Sequence, residues 1–242
     1  MSSAPREPSE STAVTIDELV LADEPECWAA LGFTVIDGRC QLGRVQLRLA
    51  GSTAGRGLVG WSLRAIAHTE LDGLPTAHSD APVPAAAPAH PNGVLEIDHI
   101  VVMSPTLDRT VAALQTAGLE LRRIREQPTP AGAPRQAFFR LGAEILEVVQ
   151  EPHDVVERAG AEEWPAHMWG LALSVEDLDR AVQALGENVG SVRAAVQPGR
   201  RIATLRRSAG LAVPVALMSS RIDARASEAQ PTRARGVPRH LE

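Results

Sequence analysis

The chain has 242 residues, of which 44% are hydrophobic, and its formal net charge at pH 7 is -6. This length and apolar content can supply the core of one large globular domain or of two small ones. The negative net charge gives no general basic field, so nucleic acid is not an expected partner.

Several reaction classes are excluded by composition. All 24 cationic residues are Arg and there is no Tyr, so a Schiff-base lysine, a phosphate-loop lysine and a tyrosine acid are excluded. The two cysteines, Cys27 and Cys40, form no CxxC pair, which favours a reduced, cytoplasmic setting. The first residues, MSSAPREPSEST, lack an apolar signal region, and no stretch approaches the roughly 20 apolar residues that cross a bilayer. A membrane is not an expected partner.

The N-terminal part predicts a small unit with a polar tail before it and a linker after it. Residues 1–13 are polar and predict a disordered tail. Residues 14–67 contain the strand pattern IDELVLAD, a short helix through WAALGF, and strands around VQLRLAG and LVGWSLRAI. They predict a βαβββ-like half-module. Residues 68–93 are rich in Pro and Ala and predict a semi-extended linker.

Residues 94–219 contain an internal repeat. The triplet LDR occurs at 107–109 and at 178–180, an offset of 71, and this offset aligns HIVVMSPTLDRTVAAL with GLALSVEDLDRAVQAL. Downstream, RQAFFRLGAEILEVV aligns with RIATLRRSAGLAVPVALM once a short loop difference is allowed. Each copy predicts a strand, a helix and three strands. Only a short segment joins the copies, so they are expected to pack as neighbours. Residues 220–242 predict a second disordered tail.

This repeated βαβββ pattern, with its IDHIVV opening strand, its LDR helix start and its ILEVV closing strand, resembles the vicinal oxygen chelate superfamily of glyoxalase-like proteins. The resemblance covers residues 94–219 and, more weakly, 14–67. It implies an α+β fold in which two units pair into a cupped open barrel, here with an extra N-terminal unit. It also implies a divalent metal, which could be Zn, Fe, Mn or Ni, held by the first and last strands of the units.

The resemblance places His99 at the metal position of the first strand and Glu147 at that of the last strand in the middle unit. Imidazole nitrogen and carboxylate oxygen suit a divalent ion that polarises a substrate oxygen, and Glu147 is then also the candidate catalytic residue. The third unit has Gly170 and Ala216 at the matching positions, so half of the set is missing. Glu18 aligns with His99 and would complete a His/Glu/Glu set if the first unit packs beside the second. The alternative is that His99 is a hydrogen-bonded pocket histidine with Glu147 as its partner.

Substrate contacts are expected from Arg135 and Arg201, which lie in matching strands of the two units, and from Trp169 at the rim of the cup. An inward Arg could bind a carboxylate or phosphate group or neutralise Glu147. The alternative is that these arginines are solvated strand-edge charges and that Trp169 belongs to the core.

Three functions remain open from the sequence. The first is a small-molecule enzyme of lyase, isomerase or dioxygenase type with a degenerate metal site. The second is a metal-independent protein that binds or sequesters a small molecule in the same cup. The third is an interaction scaffold in which the N-terminal unit mediates dimerisation, and a homodimer is one way to cover the apolar face of that unit.

Overall fold

The computed structural model describes residues 13–129 and 132–220. The predicted tails, 1–13 and 220–242, lie almost entirely outside the described residues. Four α-helices have the bounds α1 Pro25–Ala30, α2 Leu107–Thr116, α3 His153–Ala159 and α4 Leu178–Leu185. Thirteen strands accompany them in the described ranges: β1 Thr15–Leu21, β2 Arg39–Leu42, β3 Val45–Leu49, β4 Leu58–Arg64, β5 Thr76–Ser79, β6 Val94–Ser104, β7 Glu120–Arg125, β8 Gln136–Leu141, β9 Glu144–Gln150, β10 His167–Val175, β11 Arg193–Ala194, β12 Arg201–Thr204 and β13 Val215–Ser219.

Residues from 94 onward form an eight-stranded open sheet in the order β11-β12-β13-β10-β6-β9-β8-β7. Two βαβββ units, beginning at β6 and β10, meet where these two strands pair antiparallel. Ile100 pairs with Leu171 in that ladder. Leu171 lies one repeat offset after Ile100, so each of these residues pairs with its own equivalent in the other unit. A pseudo-twofold axis therefore passes between them. The α+β fold with paired βαβββ units is therefore confirmed.

The helices of both units begin where the sequence predicts. In α2 the residues Leu107, Val111 and Leu114 are buried on the face that packs on the sheet. In α4 the side chain of Asp177 accepts hydrogen bonds from the backbone N–H groups of Asp179 and Arg180, which satisfies two of the free donors at the helix start. The repeated LDR triplet thus marks the first turn of each helix.

The N-terminal part forms a separate five-stranded sheet in the order β2-β3-β1-β4-β5. β3 runs parallel to β1, whereas β4 runs antiparallel to β1 and β5 runs parallel to β4. This order matches β8-β9-β6-β10-β13 of the larger sheet, with the same strand directions. The sheet is thus a reduced copy of a pair of units, whereas the sequence predicts one unit. The last strand of this sheet, β5, lies within the predicted linker 68–93.

Two glycines show how closely the sheets correspond. In β4, Trp61 pairs with Leu19 of β1, and the N–H of Trp61 donates to the carbonyl of Pro75. In β10, the N–H of Leu171 donates in the same way to the carbonyl of Pro214. The preceding glycines, Gly60 and Gly170, face those carbonyls: an added Cβ would lie 3.1 Å from Pro75 O and 2.7 Å from Pro214 O. Close backbone approach therefore accounts for a glycine at each position.

The two sheets share one cluster of buried apolar side chains within the chain. β4 contacts β10, and β2 contacts β6. Asp72 reinforces this packing, because its carboxylate accepts from Arg109 at 2.8 Å and from the hydroxyl of Thr110, both in α2. The apolar face of the N-terminal sheet is thus covered inside the chain, and the homodimer stays a prediction. Among the described residues, no helix is long and apolar enough to cross a membrane.

Candidate active site in the eight-stranded sheet

A β-bulge in β6 brings two neighbouring polar residues to one side of the sheet. Ile97 pairs with Leu173 and His99 pairs with Ala172, so Asp98 is an extra residue on β6. In a regular strand, adjacent side chains point to opposite faces, but a bulge interrupts that alternation. Asp98 and His99 consequently both line one cleft, together with Glu147 from β9.

The side chains in this cleft form a chain of polar contacts. His99 Nε2 lies 3.4 Å from Glu147 Oε2, and His99 Nδ1 lies 3.0 Å from Asp98 Oδ2. Arg200 donates from one nitrogen to both carboxylate oxygens of Asp98 at 2.9 Å. Gln136 donates from its amide nitrogen to Glu147 Oε1. Each ring nitrogen of His99 thus has a carboxylate partner, and each carboxylate has a second partner.

Burial affects the two carboxylates differently. Burial raises the pKa of Glu147, and the nearby His99 and the hydrogen bond from Gln136 only partly offset it. Burial also opposes ionisation of Asp98, but hydrogen bonds with His99 and Arg200 outweigh it and hold the Asp98 pKa well below its usual range. Asp98 is therefore an ionised acceptor, so His99 donates to it from Nδ1, and His99 Nε2 faces Glu147.

The cleft contains about 550 Å³, including its open mouth. Its outer wall is formed by the side chains of Arg122 and Arg123 from β7, Phe138 from β8, and Gln197. The guanidinium of Arg123 lies over the Phe138 ring, with its central carbon 4.6 Å from the ring centroid. The cleft therefore combines a histidine–glutamate pair at its base with cationic and amide groups at its mouth.

The described residues supply an incomplete donor set for a metal. His99 and Glu147 are close enough to share an ion, but no group of three His, Cys, Asp or Glu side chains in the described ranges could hold one. In the third unit, a side chain at Gly170 would collide with Pro214 O, and Ala216 brings no donor. Since catalytic metal sites usually have three protein ligands, these residues do not fit a complete centre, although His99 and Glu147 would be two of its ligands.

Glu18, the third residue of the predicted metal set, lies in the N-terminal sheet. Its carboxylate accepts from Arg39 at 2.6 Å and from Arg48 at 2.8 Å. Glu18 pairs with Gln46 in the ladder as His99 pairs with Ile145, so Arg48 occupies the position that corresponds to Glu147. An ion pair therefore stands in the N-terminal sheet where the histidine–glutamate pair stands in the larger sheet.

The three predicted substrate contacts lie away from the cleft lining. Arg135 forms ion pairs with Asp108 and Glu126, and Arg201 forms one with Asp179. Trp169, the extra residue of a bulge in β10, is 49% exposed. Sequence reasoning placed Arg201 in the pocket, whereas its neighbour Arg200 is the buried one that reaches Asp98.

Sequence reasoning missed Asp98, Arg123 and Gln136. One signal for Asp98 was present, because both IDEL and IDHI have Asp before the residue at the metal position. In the N-terminal sheet that aspartate, Asp17, is likewise the extra residue of a bulge, and it pairs with the buried Arg64. A bulged aspartate bound to a buried arginine is thus a feature of both sheets.

Comparison with known proteins agrees with this architecture. Residues 96–212 match the model of the Glyoxalase/Bleomycin resistance protein/Dioxygenase superfamily. No curated protein matches the chain. A xylose isomerase-like TIM barrel/4-hydroxyphenylpyruvate dioxygenase fusion protein is similar at 11% identity over 86% of this chain and 48% of its own, with a TM-score of 0.53. Because 86% of this chain is covered, the matched part includes residues of both sheets.

Two epimerase structures are similar over a shorter part. Methylmalonyl-CoA epimerase from Mycobacterium tuberculosis shares 19% identity over 52% of this chain and 89% of its own, with a TM-score of 0.42. A variant of the Streptomyces coelicolor methylmalonyl-CoA epimerase, in complex with 2-nitronate-propionyl-CoA, shares 20% identity over 53% of this chain and 96% of its own, also with a TM-score of 0.42. Residues 96–212 therefore form a domain of the Glyoxalase/Bleomycin resistance protein/Dioxygenase superfamily.

Proposed function

We propose that the chain is a small-molecule enzyme of the isomerase or lyase type that moves a proton at a carbon next to a carbonyl group. The observation that carries the proposal is the contact between the half-buried Glu147 and His99 Nε2 at the base of an open cleft. Paired titratable groups with environments that shift a pKa are typical of proton-transfer sites.

Glu147 is the proposed acid–base residue. Its raised pKa brings the protonated and ionised forms closer to balance near neutral pH, which is the condition for a residue that both takes and returns a proton. Gln136 donates to one carboxylate oxygen and fixes the orientation of the group, while the other oxygen faces His99. Glu147 in its ionised form would remove the proton, and in its protonated form would return one.

His99 is the proposed second proton-transfer group. The ionised Asp98 accepts from Nδ1–H and so keeps Nε2 on the side of Glu147. Arg200 in turn holds Asp98 and lies 6% exposed, so this orientation is set from the interior of the sheet. His99 would take from Glu147 the proton removed from carbon and deliver it to the substrate oxygen at which negative charge develops, and the reverse transfers would restore the carbonyl group.

The test is solvent deuterium incorporation, followed by proton NMR in D₂O, into a panel of small carbonyl compounds that carry an exchangeable C–H. We expect exchange with the wild-type chain and a loss of about 100-fold or more in Glu147→Gln, the usual scale for removing a general base. Glu144→Gln is the matched control, because Glu144 is a buried glutamate on the same strand with a pKa raised by burial, but outside the cleft lining.

Two results would count against the proposal. Equal loss of exchange in Glu147→Gln and Glu144→Gln would mean that stability, rather than the cleft carboxylate, is being measured. Binding of a panel compound in the cleft without any exchange would favour the metal-independent binding protein instead.

A further inference from the structure

We propose that the ligand of this cleft carries an ionised carboxylate and that Arg123 is the residue that binds it. This inference rests on the proposed function, since it names the substrate class of the same site. It is carried by the geometry of β7 and β8 at the mouth of the cleft.

A bulge in β7 turns the arginines toward the cleft. Leu121 pairs with Phe139 and Arg123 pairs with Phe138, so Arg122 is an extra residue on β7. As at Asp98, the bulge suspends the alternation of side chains, and both Arg122 and Arg123 line the cleft.

Arg122 and Arg123 differ in how their charges are used. Arg122 donates to Glu120 at 2.6 Å, so its charge is already balanced. Arg123 has no hydrogen bond or ion pair within residues 13–129 and 132–220, and its guanidinium lies over the Phe138 ring. This contact uses none of the N–H donors of Arg123, so they remain available to bind a carboxylate through two parallel hydrogen bonds.

The charges around the cleft favour one carboxylate. Arg200 balances Asp98 at the base, and Glu120 balances Arg122 at the mouth. Of these three cations, Arg123 has no ion-pair partner in the described part of the chain, although its charge acts through space on Glu147, and it matches the single charge of a carboxylate better than the greater charge of a phosphate monoester. Gln197 lies on the same cleft with a buried Oε1 that has no hydrogen-bond partner in the described part of the chain, so it can accept from an O–H or N–H of the same ligand.

Binding to matched acid and amide pairs tests this inference. The probes are 2-oxobutyrate and its neutral amide, with methyl phosphate as the competing anion, each titrated by calorimetry or ligand-observed NMR. We expect the acid to bind and the amide to bind at least about 10-fold more weakly, because a charge-assisted hydrogen-bonded pair is replaced by a neutral one.

Variants assign the effect to one residue. Arg123→Gln should weaken binding of the acid by roughly 10- to 100-fold and leave the amide unchanged, and Arg123→Lys should recover only part of the loss because the forked geometry is gone. Arg125→Gln is the matched control, since Arg125 lies on the same strand outside the cleft lining.

The carboxylate assignment is overturned if Arg123→Gln binds the acid as tightly as the wild type, if methyl phosphate binds more tightly than the acid, or if neither acid nor amide binds at millimolar concentration. Failure of the proposed function looks different: the acid binds through Arg123, but no deuterium enters it. Exchange that proceeds equally with the acid and the amide would instead keep the function and remove the carboxylate.

Discussion

Replacing Arg200 by Met should destabilise the chain strongly, because it leaves the Asp98 carboxylate buried without its cation. The side chains of Arg200 and Asp98 are 6% and 2% exposed, and Arg200 also donates to the carbonyl of Ser219 at 2.9 and 2.6 Å. Removing one partner of such a buried pair costs about 3–5 kcal/mol. At roughly 2–4 °C per kcal/mol for a chain of this size, the unfolding temperature should fall by about 6–20 °C.

The penalty should also depend on pH. In the wild type the Asp98 pKa is held below 3.8, so this group stabilises the fold above that pH, and the contribution is lost as the pH falls through the folded value. In Arg200→Met the guanidinium that lowers the Asp98 pKa is gone, so burial raises that pKa. The variant should therefore recover part of its lost stability between about pH 7 and about pH 5, as the carboxylate becomes protonated.

Urea unfolding followed by circular dichroism at both pH values measures these effects. Arg201→Met is the control, because Arg201 and its partner Asp179 have side chains 48% and 66% exposed, and an exposed pair contributes roughly 0–1 kcal/mol. Equal destabilisation by the two substitutions, or a penalty for Arg200→Met that stays constant with pH, would refute the reasoning.

Three further predictions concern other buried positions. Gly170→Ala should cost about 1–3 kcal/mol in urea unfolding, since the new Cβ would lie 2.7 Å from Pro214 O, and an unchanged midpoint would contradict the close approach. Cys40 is buried, and burial raises the pKa of its thiol to about 12, so it should react with iodoacetamide only in the unfolded chain. The partly exposed Cys27 should react first. Mass spectrometry of the labelled peptides measures the order, and the reverse order would contradict the assigned burial. Glu147→Gln should gain stability relative to the wild type as the pH rises above 4.5, by up to about 1.4 kcal/mol per unit, because the raised pKa makes ionisation costly in the folded state; parallel stability curves would argue against it.

Repeats predict much of this fold because apolar periodicity records which face of each element is buried. The offset of 71 residues found in the sequence reappears in the structure, where Ile100 pairs with Leu171, its equivalent in the other unit. The apolar pattern of a strand does not show in which direction the strand runs within the sheet. The pattern LVGWSLRAI predicts a strand in either orientation, so β4 was assigned to the end of one unit although it begins a second. The short strand β5 lacks β-branched alternation and is defined by its partner β4.

The site was predictable only where strand alternation holds. His99 and Glu147 were chosen from the sequence and both line the cleft, but Asp98 and Arg123 line it through bulges, and a bulge is set by how two strands fit together rather than by the residues of one. The same difficulty explains why the exposed Arg201 was chosen over its neighbour Arg200. A shift of one residue along a strand moves a side chain from the buried face of the sheet to the exposed face.

The central claim is that side chains of this cleft, Glu147 and His99, transfer the proton. Its most direct test is deuterium incorporation into an exchanging 2-oxo acid by protein that has been treated with a chelator and whose metal content is measured by elemental analysis. We expect the same exchange rate in metal-free and untreated protein, with the rate lost in Glu147→Gln. Exchange that disappears with the metal and returns when a divalent ion is added would contradict it.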